Sequence, residues 1–448
     1  MHRPTPHPLA LLVLAGLLQA PAQAALFDVD PGPYLHATGG FAAWYQDSHG
    51  RVLDLCLTKA VSSRVAGTPA APSYMCTLLP TPGVFDDTQA IDFPGNFPDE
   101  AFWFTADAAI VDAARGIDLS YGTAIEAAFA AEEPVEGDQV SFARVRIRVD
   151  VTAPGTYVIT HPYGVEVFDV PVAGRRAINM TRDIGIGAPQ TYTGALKGDV
   201  GPFLRSVNGP YTETNPQTGA SERFIGDPNL EEAVTGSPFN TNYVRIEGPN
   251  GIDLRTTLFA VSGKLSSVNR PTPLIPQRST YSRRTVSGNP VAQQDVFVLA
   301  PPQPATVTLT SQSPSLALTE ADQTGAWYVQ SALNPSLPSL LTVVADNQPA
   351  IPASTPTTAS LPLTDLVSIE RAEYSLGSGQ LTVVASTSDE ITPPTLTART
   401  GQGAVIGTLG NEGAQKTLTT GLSPIPPATV TVTSSNGGSD SEEVVILP

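Results

Sequence analysis

Histidine is scarce in this chain, and the scarcity narrows its chemistry. Five occur in 448 residues, and only His36, His49 and His161 lie beyond the first two dozen positions. Three scattered imidazoles are a thin supply for general acid–base work. His49 lies within a turn sequence and His161 beside one, where a solvated ring is the ordinary case. Sequence signatures for chemistry are missing as well. There is no G-x-S-x-G elbow, so an α/β-hydrolase lacks its central element. There is no H-E-x-x-H, phosphate loop or haem-attachment run, and no D-x-[DN]-x-[DN]-G calcium loop. Charge is sparse at 15% of residues, against roughly 25% in ordinary soluble domains. Positive charge is the scarcer sign, with Lys+Arg 24 against Asp+Glu 42 and a net charge of −18. That balance argues against a general nucleic-acid binder, which needs Lys and Arg for phosphate. It also argues against docking on anionic lipid.

Long apolar runs are confined to the start. MHRPTPHPLALLVLAGLLQAPAQA opens with Arg3, continues through an apolar stretch from Leu9 to Leu18, and ends on Ala22-Gln23-Ala24. The stretch is short for a bilayer span, and the small-x-small ending fits signal-peptide cleavage after Ala24. No later stretch suits a transmembrane helix, and the tail SDSEEVVILP carries no hydrophobic anchor. The expectation is an exported protein: periplasmic, extracellular or held at the cell surface. Cysteine is limited to Cys56 and Cys76. An oxidising compartment favours one intramolecular bridge between them. It closes a loop whose entropy suggests a contribution of about 3 kcal/mol. No C-x-x-C and no nearby His cluster support a metal-binding thiol pair.

What the chain has in quantity is turn residues and alternating apolar positions. Gly 38 and Pro 43 exceed average usage without reaching the share that marks disorder. A length of 448 residues suggests roughly three domains. Residues 25–265 read as a β-rich N-terminal domain. FAAWYQDSHGRVLDLCL is strand, turn, strand, with Asp47 to Gly50 as the turn. Ile125, Ala128 and Phe129 share a face at helical spacing and predict one short helix ending at Pro134. In QVSFARVRIRVDV the alternation slips between Phe142 and Val145, the pattern of a β-bulge. Arg144, Arg146 and Arg148 then line one exposed, solvated face.

Residues 266–284 are basic and free of Asp and Glu, and read as a linker. Docking of this stretch against an acidic neighbour is the alternative. Residues 285–348 alternate like a small β-sandwich, 349–363 form a Pro/Ser/Thr spacer, and 364–448 give about seven short strands of immunoglobulin-like spacing. PATVT and LTVVA each occur twice, in reversed order, so no simple tandem repeat is inferred. The expected fold class is mostly β, with tandem β-sandwich (immunoglobulin-like) domains behind the N-terminal block.

Candidate site residues are few. Asp99 and Glu100 precede Phe102, Trp103 and Phe104, and aromatics beside carboxylates are a way to hold a sugar. Asp99, Glu100 and Trp103 are therefore the candidate ligand-binding residues, while core packing is the preferred role for the aromatics. No catalytic residue and no metal ligand is assigned. Asp86-Asp87, and Asp227 with Glu231 and Glu232, are the acidic clusters to check for structural calcium, which needs six or more converging oxygens. No other cofactor is expected.

GFAAWYQDSHGRVLDLC, FPDEAFWF, THPYGVEVF, DIG at 183–185, VGPFL and VTGSPFNTNYVRIEGP together resemble a family of secreted bacterial proteins without an assigned activity, in which such a region precedes immunoglobulin-like modules. The resemblance implies export and architecture and carries no site residue. Two function classes follow. The favoured one is a secreted or cell-surface noncatalytic protein of the adhesion or extracellular-matrix type, with an extracellular glycan or protein as partner and neither nucleic acid nor membrane insertion. The alternative is a secreted carbohydrate-active hydrolase or lyase with accessory sandwiches.

Overall fold

A computed structural model describes residues 25–448 apart from Ala70, Gln312, Ser313, Pro335, Ser339 and Ser423. The expected leader lies outside the described residues. Strands dominate. The helical elements among the described residues are three short 3₁₀ turns, at His36–Thr38, Thr193–Lys197 and Pro249–Gly251. No helix there is long and apolar enough to cross a membrane. Three separate hydrophobic cores organise the chain, the first from Leu26 to Val261, the second from Leu274 to Leu361, the third from Val367 to Val432.

A seven-stranded antiparallel sheet is the frame of the N-terminal domain. Its order is Arg205–Ser206, Glu232–Thr235, Leu258–Ser262, Glu100–Asp112, Ile117–Phe129, Gln139–Val151, Gly174–Ile184. Three neighbouring strands are 13 residues long. Successive side chains alternate between the faces. Leu119, Tyr121 and Ile125 thus point into the core with Val145, Ile147 and Val149.

The helix expected near Ile125 is this middle strand, Ile117–Phe129. Helical spacing at three positions competes there with period-two burial that starts at Ile117. Pairing along both edges decides for the strand, because tertiary context overrides local propensity. The slip expected near Phe142 is not a bulge either. Pairing runs unbroken from Gln139 to Asp150. Val140 and Phe142 face outward and are nonetheless buried, since this end of the sheet is covered on both sides. Irregularities lie elsewhere: two strands away, between Phe102 and Phe104, and at the far end of this strand, between Val149 and Val151, where it pairs with Gly174–Ile184.

A six-stranded sheet contains the hairpin Trp44–Asp47 and Val52–Asp54, and a four-stranded sheet contains Gly155–His161 and Gly164–Val170. Cys56 and Cys76 are bonded to each other. With Ala60, Met75 and Phe224 they form a small satellite core. Cys56 N donates to Phe102 O at 2.9 Å, so the bridged loop hangs on the seven-stranded sheet.

Each later domain is a β-sandwich of immunoglobulin-like type. The second packs a five-stranded against a four-stranded sheet, and the third packs two four-stranded sheets. In both, a late strand runs parallel to an early one: Thr364–Asp365 beside Ile275–Val286, and Val445–Leu447 beside Val367–Ser375. LTVVA forms a core strand in both, with Leu341, Val343 and Ala345 buried like Leu381, Val383 and Ala385. PATVT differs in placement. Thr306–Leu309 pairs with the LTVVA strand, whereas Thr429–Ser434 lies in the opposite sheet from it.

Much of the expected linker at 266–284 is the sandwich strand Ile275–Val286. Its basic residues sit at paired positions; Arg283 Nη1 reaches Asp389 Oδ2 at 3.4 Å and Thr392 Oγ1 at 2.8 Å in the third domain. The expected spacer at 349–363 contains the strand Thr357–Pro362. Ser, Thr and Pro are tolerated there because this is the edge of its sheet.

Candidate functional site

The bulge between Phe102 and Phe104 sorts three consecutive aromatics. Trp103 and Phe104 both enter the core and are fully buried, while Phe102 faces out. Trp103 donates its indole N–H to Ala42 O at 3.1 Å and meets Tyr45 edge-on, centroids 4.8 Å apart. It is a core residue and cannot stack on a sugar, which corrects its place among the candidates. Asp99 accepts a hydrogen bond from Thr81 Oγ1 at 2.9 Å in the preceding loop. Glu100 alone of the three lines a groove.

That groove, of 250 Å³, runs over the outward face of the long strands and is bordered by Thr77 and Leu79 of the chain after the disulfide. Thr77 Oγ1 and Thr105 Oγ1 lie 3.2 Å apart, fastening this border to the sheet. Strand register sets the floor in rows. Phe102, Glu126 and Phe142 form one row, and Thr105, Ala124, Arg144 and Asp183 the next. Asp107, Gly122 and Arg146 form the third. A Cβ on Gly122 would lie 2.8 Å from Asp107 Oδ1, so the glycine is what lets Asp107 lean toward Arg146.

Arg144 is the hub. It grips Asp183 through Nε and Nη2 at 2.7 and 3.0 Å, and its Nη1 donates to Glu126 at 3.0 Å. Such a two-pronged guanidinium–carboxylate pair fixes orientation as well as charge. Glu126 is 1% exposed, flanked by two phenylalanines across the strands. Burial pushes its carboxyl up to about 8, against the pull of Arg144 and with the help of Glu100 beside it. The pull is incomplete because most of the Arg144 fork is committed to Asp183. Arg146 and Arg148 follow along the same strand face, each with a buried Nε that has no hydrogen-bond partner. Like-charge repulsion from Arg146 holds Arg148 below its ordinary value.

The other sequence candidates do not converge. Asp227 pairs with Arg64 at 3.0 Å, and Glu232 accepts from Tyr211 and Ser206. Asp86 is occupied by Thr88 and Gln89. Among the described residues no group of three or more His, Cys, Asp or Glu side chains is placed to hold a metal ion. His161 is buried against Tyr121, and His49 is buried at a domain junction. Glu126 and Asp183 escaped the sequence reading. The cue was present in Arg144, Arg146 and Arg148, whose partners had to lie on adjacent strands.

Fold and groove define a tandem β-sandwich protein whose N-terminal sheet carries a charged outer groove. Neither a family model nor a curated protein matches the sequence. Among solved structures, the chain is similar to the polymeric immunoglobulin receptor ectodomain of a teleost fish, with 9% identity over 38% of this chain and 98% of that one, at a TM-score of 0.20. It is similar to a bacterial ice-binding adhesin, with 10% identity over 68% and 91% and a TM-score of 0.15. It is also similar to a Bacteroides ovatus protein of a mixed-linkage glucan utilization locus, with 12% identity over 46% and 52% and a TM-score of 0.17. At these scores the likenesses carry no argument, and the fold assignment rests on the sheet pairing described above.

Proposed function

We propose that this chain is an exported, noncatalytic binding protein of the adhesion or extracellular-matrix type, and that the groove over Glu126 and Arg144 holds a glycan or protein ligand. The observation that carries the reading is the Glu126–Arg144–Asp183 chain. Its side chains are immobilised on long strands, so donors and acceptors are oriented before any ligand arrives. Preorganisation of this kind lowers the entropy cost of binding. Export is supported by the bonded cysteines, which persist in oxidising compartments.

The hydrolase or lyase alternative has one observation in its favour, the elevated carboxyl of Glu126. Against it, Glu100 lies in direct hydrogen-bonding reach of Glu126, whereas sugar-cleaving pairs stand about 5–9.5 Å apart.

The test is an array of glycans and extracellular matrix proteins, probed with the full chain and with an Arg146→Ala/Arg148→Ala variant. Saturable capture that the variant loses supports the reading. Capture of nothing, or capture indifferent to the variant, overturns it. Release of reducing sugar that Glu126→Gln abolishes would replace it with the enzymatic reading.

A further inference from the structure

A second cavity, of 520 Å³, opens between the N-terminal domain and the first sandwich. Arg51, Arg205 and Arg223 line it from the N-terminal domain, Arg270 from the connecting segment, and the loop 350–354 from the sandwich. No carboxylate lines it, in a chain whose net charge is −18. Arg270 is committed elsewhere: it pairs with Asp28 and lies over the Trp44 ring at 4.5 Å. Among the described residues Arg51, Arg205 and Arg223 form no ion pair. Asp47 lies close to Arg51 and Arg205 but is fully buried. Its oxygens accept from the backbone N–H groups of Arg51 and Phe203, at 2.7 and 2.9 Å.

The arginines are therefore short of acceptors. Arg205 Nη1 and Arg270 Nε are buried with no hydrogen-bond partner. Leaving such donors unmatched is costly. Arg205 is also pushed down to about 10, by burial and by the like charge of Arg51. Converging guanidinium groups match carboxylate, sulfate and phosphate in geometry and charge. Pro210, Ile225, Leu265 and Val268 supply apolar wall surface beside the arginines. The acidic surface elsewhere repels anions weakly at physiological salt, where fields decay over about 8 Å.

We propose that this interdomain cleft binds a small polyanion, a ligand with two or more oxyanion groups held by Arg51, Arg205 and Arg223. The volume exceeds what one simple ion fills, and the walls come from both domains. Bound ligand therefore ties the N-terminal domain to the first sandwich. The site is separate from the groove and stands or falls without it.

The experiment is calorimetric titration of the full chain with tripolyphosphate, trigalacturonate and the neutral maltotriose, with Trp44 fluorescence as a second signal. One anion or both should bind at one site per chain, and maltotriose should not. Arg223→Ala, an exposed position, should weaken binding about tenfold, and Arg205→Gln by at least as much. Arg175→Ala, an exposed arginine outside the cleft, should leave it unchanged. Tripolyphosphate alone binding identifies a phosphate-type ligand; trigalacturonate alone binding identifies an acidic saccharide. No anion binding at millimolar concentration, equal binding of maltotriose, or binding indifferent to Arg223→Ala overturns the proposal.

Discussion

Replacing Glu126 by glutamine should stabilise the N-terminal domain at neutral pH, and more so as pH rises. In the native state the carboxyl is pushed up from 4.5 to about 8. Between those values the folded chain keeps a proton that the unfolded chain has released. Stability therefore falls as pH rises through that window. At 1.36 kcal/mol per unit, the loss accumulated from 4.5 to pH 7 is about 3 kcal/mol, approaching about 5 kcal/mol above pH 8. Glutamine keeps the shape, accepts from Arg144 and does not titrate. The assay is denaturant unfolding of the full chain at pH 5, 7 and 8.5, followed by tryptophan fluorescence. Hydrogen exchange over residues 117–129 assigns the transition to this sheet. The stability difference between variant and wild type should be under about 1 kcal/mol at pH 5 and about 3 kcal/mol at pH 7. A difference that does not change with pH would refute the reasoning, because it would mean that Glu126 is ionised in the fold throughout.

Trp103→Ala should cost about 3–5 kcal/mol in unfolding experiments, as expected for a fully buried large side chain, and should leave ligand affinity in the still-folded fraction unaltered. Replacing Cys56 and Cys76 together by serine should cost about 3 kcal/mol and raise hydrogen exchange across the groove border near Thr77. Gly122→Ala should displace Asp107, whose Oδ1 would lie 2.8 Å from the new methyl. It should weaken groove binding on the array while moving the unfolding midpoint little.

The sequence was most legible where one periodicity governed. LTVVA reads as a strand in both sandwiches and is one, because nothing local competes with alternation. Residues 117–129 were misread because Ala and Glu favour helices and three apolar positions fit a helical stripe. Only the flanking strands, distant in sequence, settle that contest. The basic run at 266–284 looked like a connector because exposed positions on a sandwich strand carry polar residues as linkers do. Arg283 finds Asp389 across more than a hundred residues, a pairing that composition does not reveal. The groove was half legible. Three arginines at alternate positions announce a charged face, and Glu100 lay among the candidates. Glu126 was hidden inside the misread helix, and Asp183 becomes Arg144's partner only through strand register. Aromatic runs misled about Trp103, since a bulge decides which ring enters the core.

The junction between the N-terminal domain and the first sandwich carries a pH dependence of opposite sign to that of Glu126. His49 is 3% exposed, with Nε2 donating to Thr324 O at 3.3 Å, and Asn347 Nδ2 donates to the His49 carbonyl at 3.3 Å. Burial, assisted by Arg51, holds the ring at about 3. The unfolded chain takes up this proton below 6.5 and the folded chain does not. The stabilisation is therefore complete above pH 6.5 and is lost as pH falls, by about 2 kcal/mol at pH 5. His49→Gln retains a donor for Thr324 and does not titrate, so it should gain about that much on wild type at pH 5 relative to pH 7.5. Between pH 4.5 and 6.5 the Glu126 and His49 contributions run against each other at equal slope. Removing either one should then tilt the stability profile in opposite directions, and the double variant should restore the wild-type slope. A His49→Gln profile parallel to wild type over that range would mean that the ring is already charged at the junction.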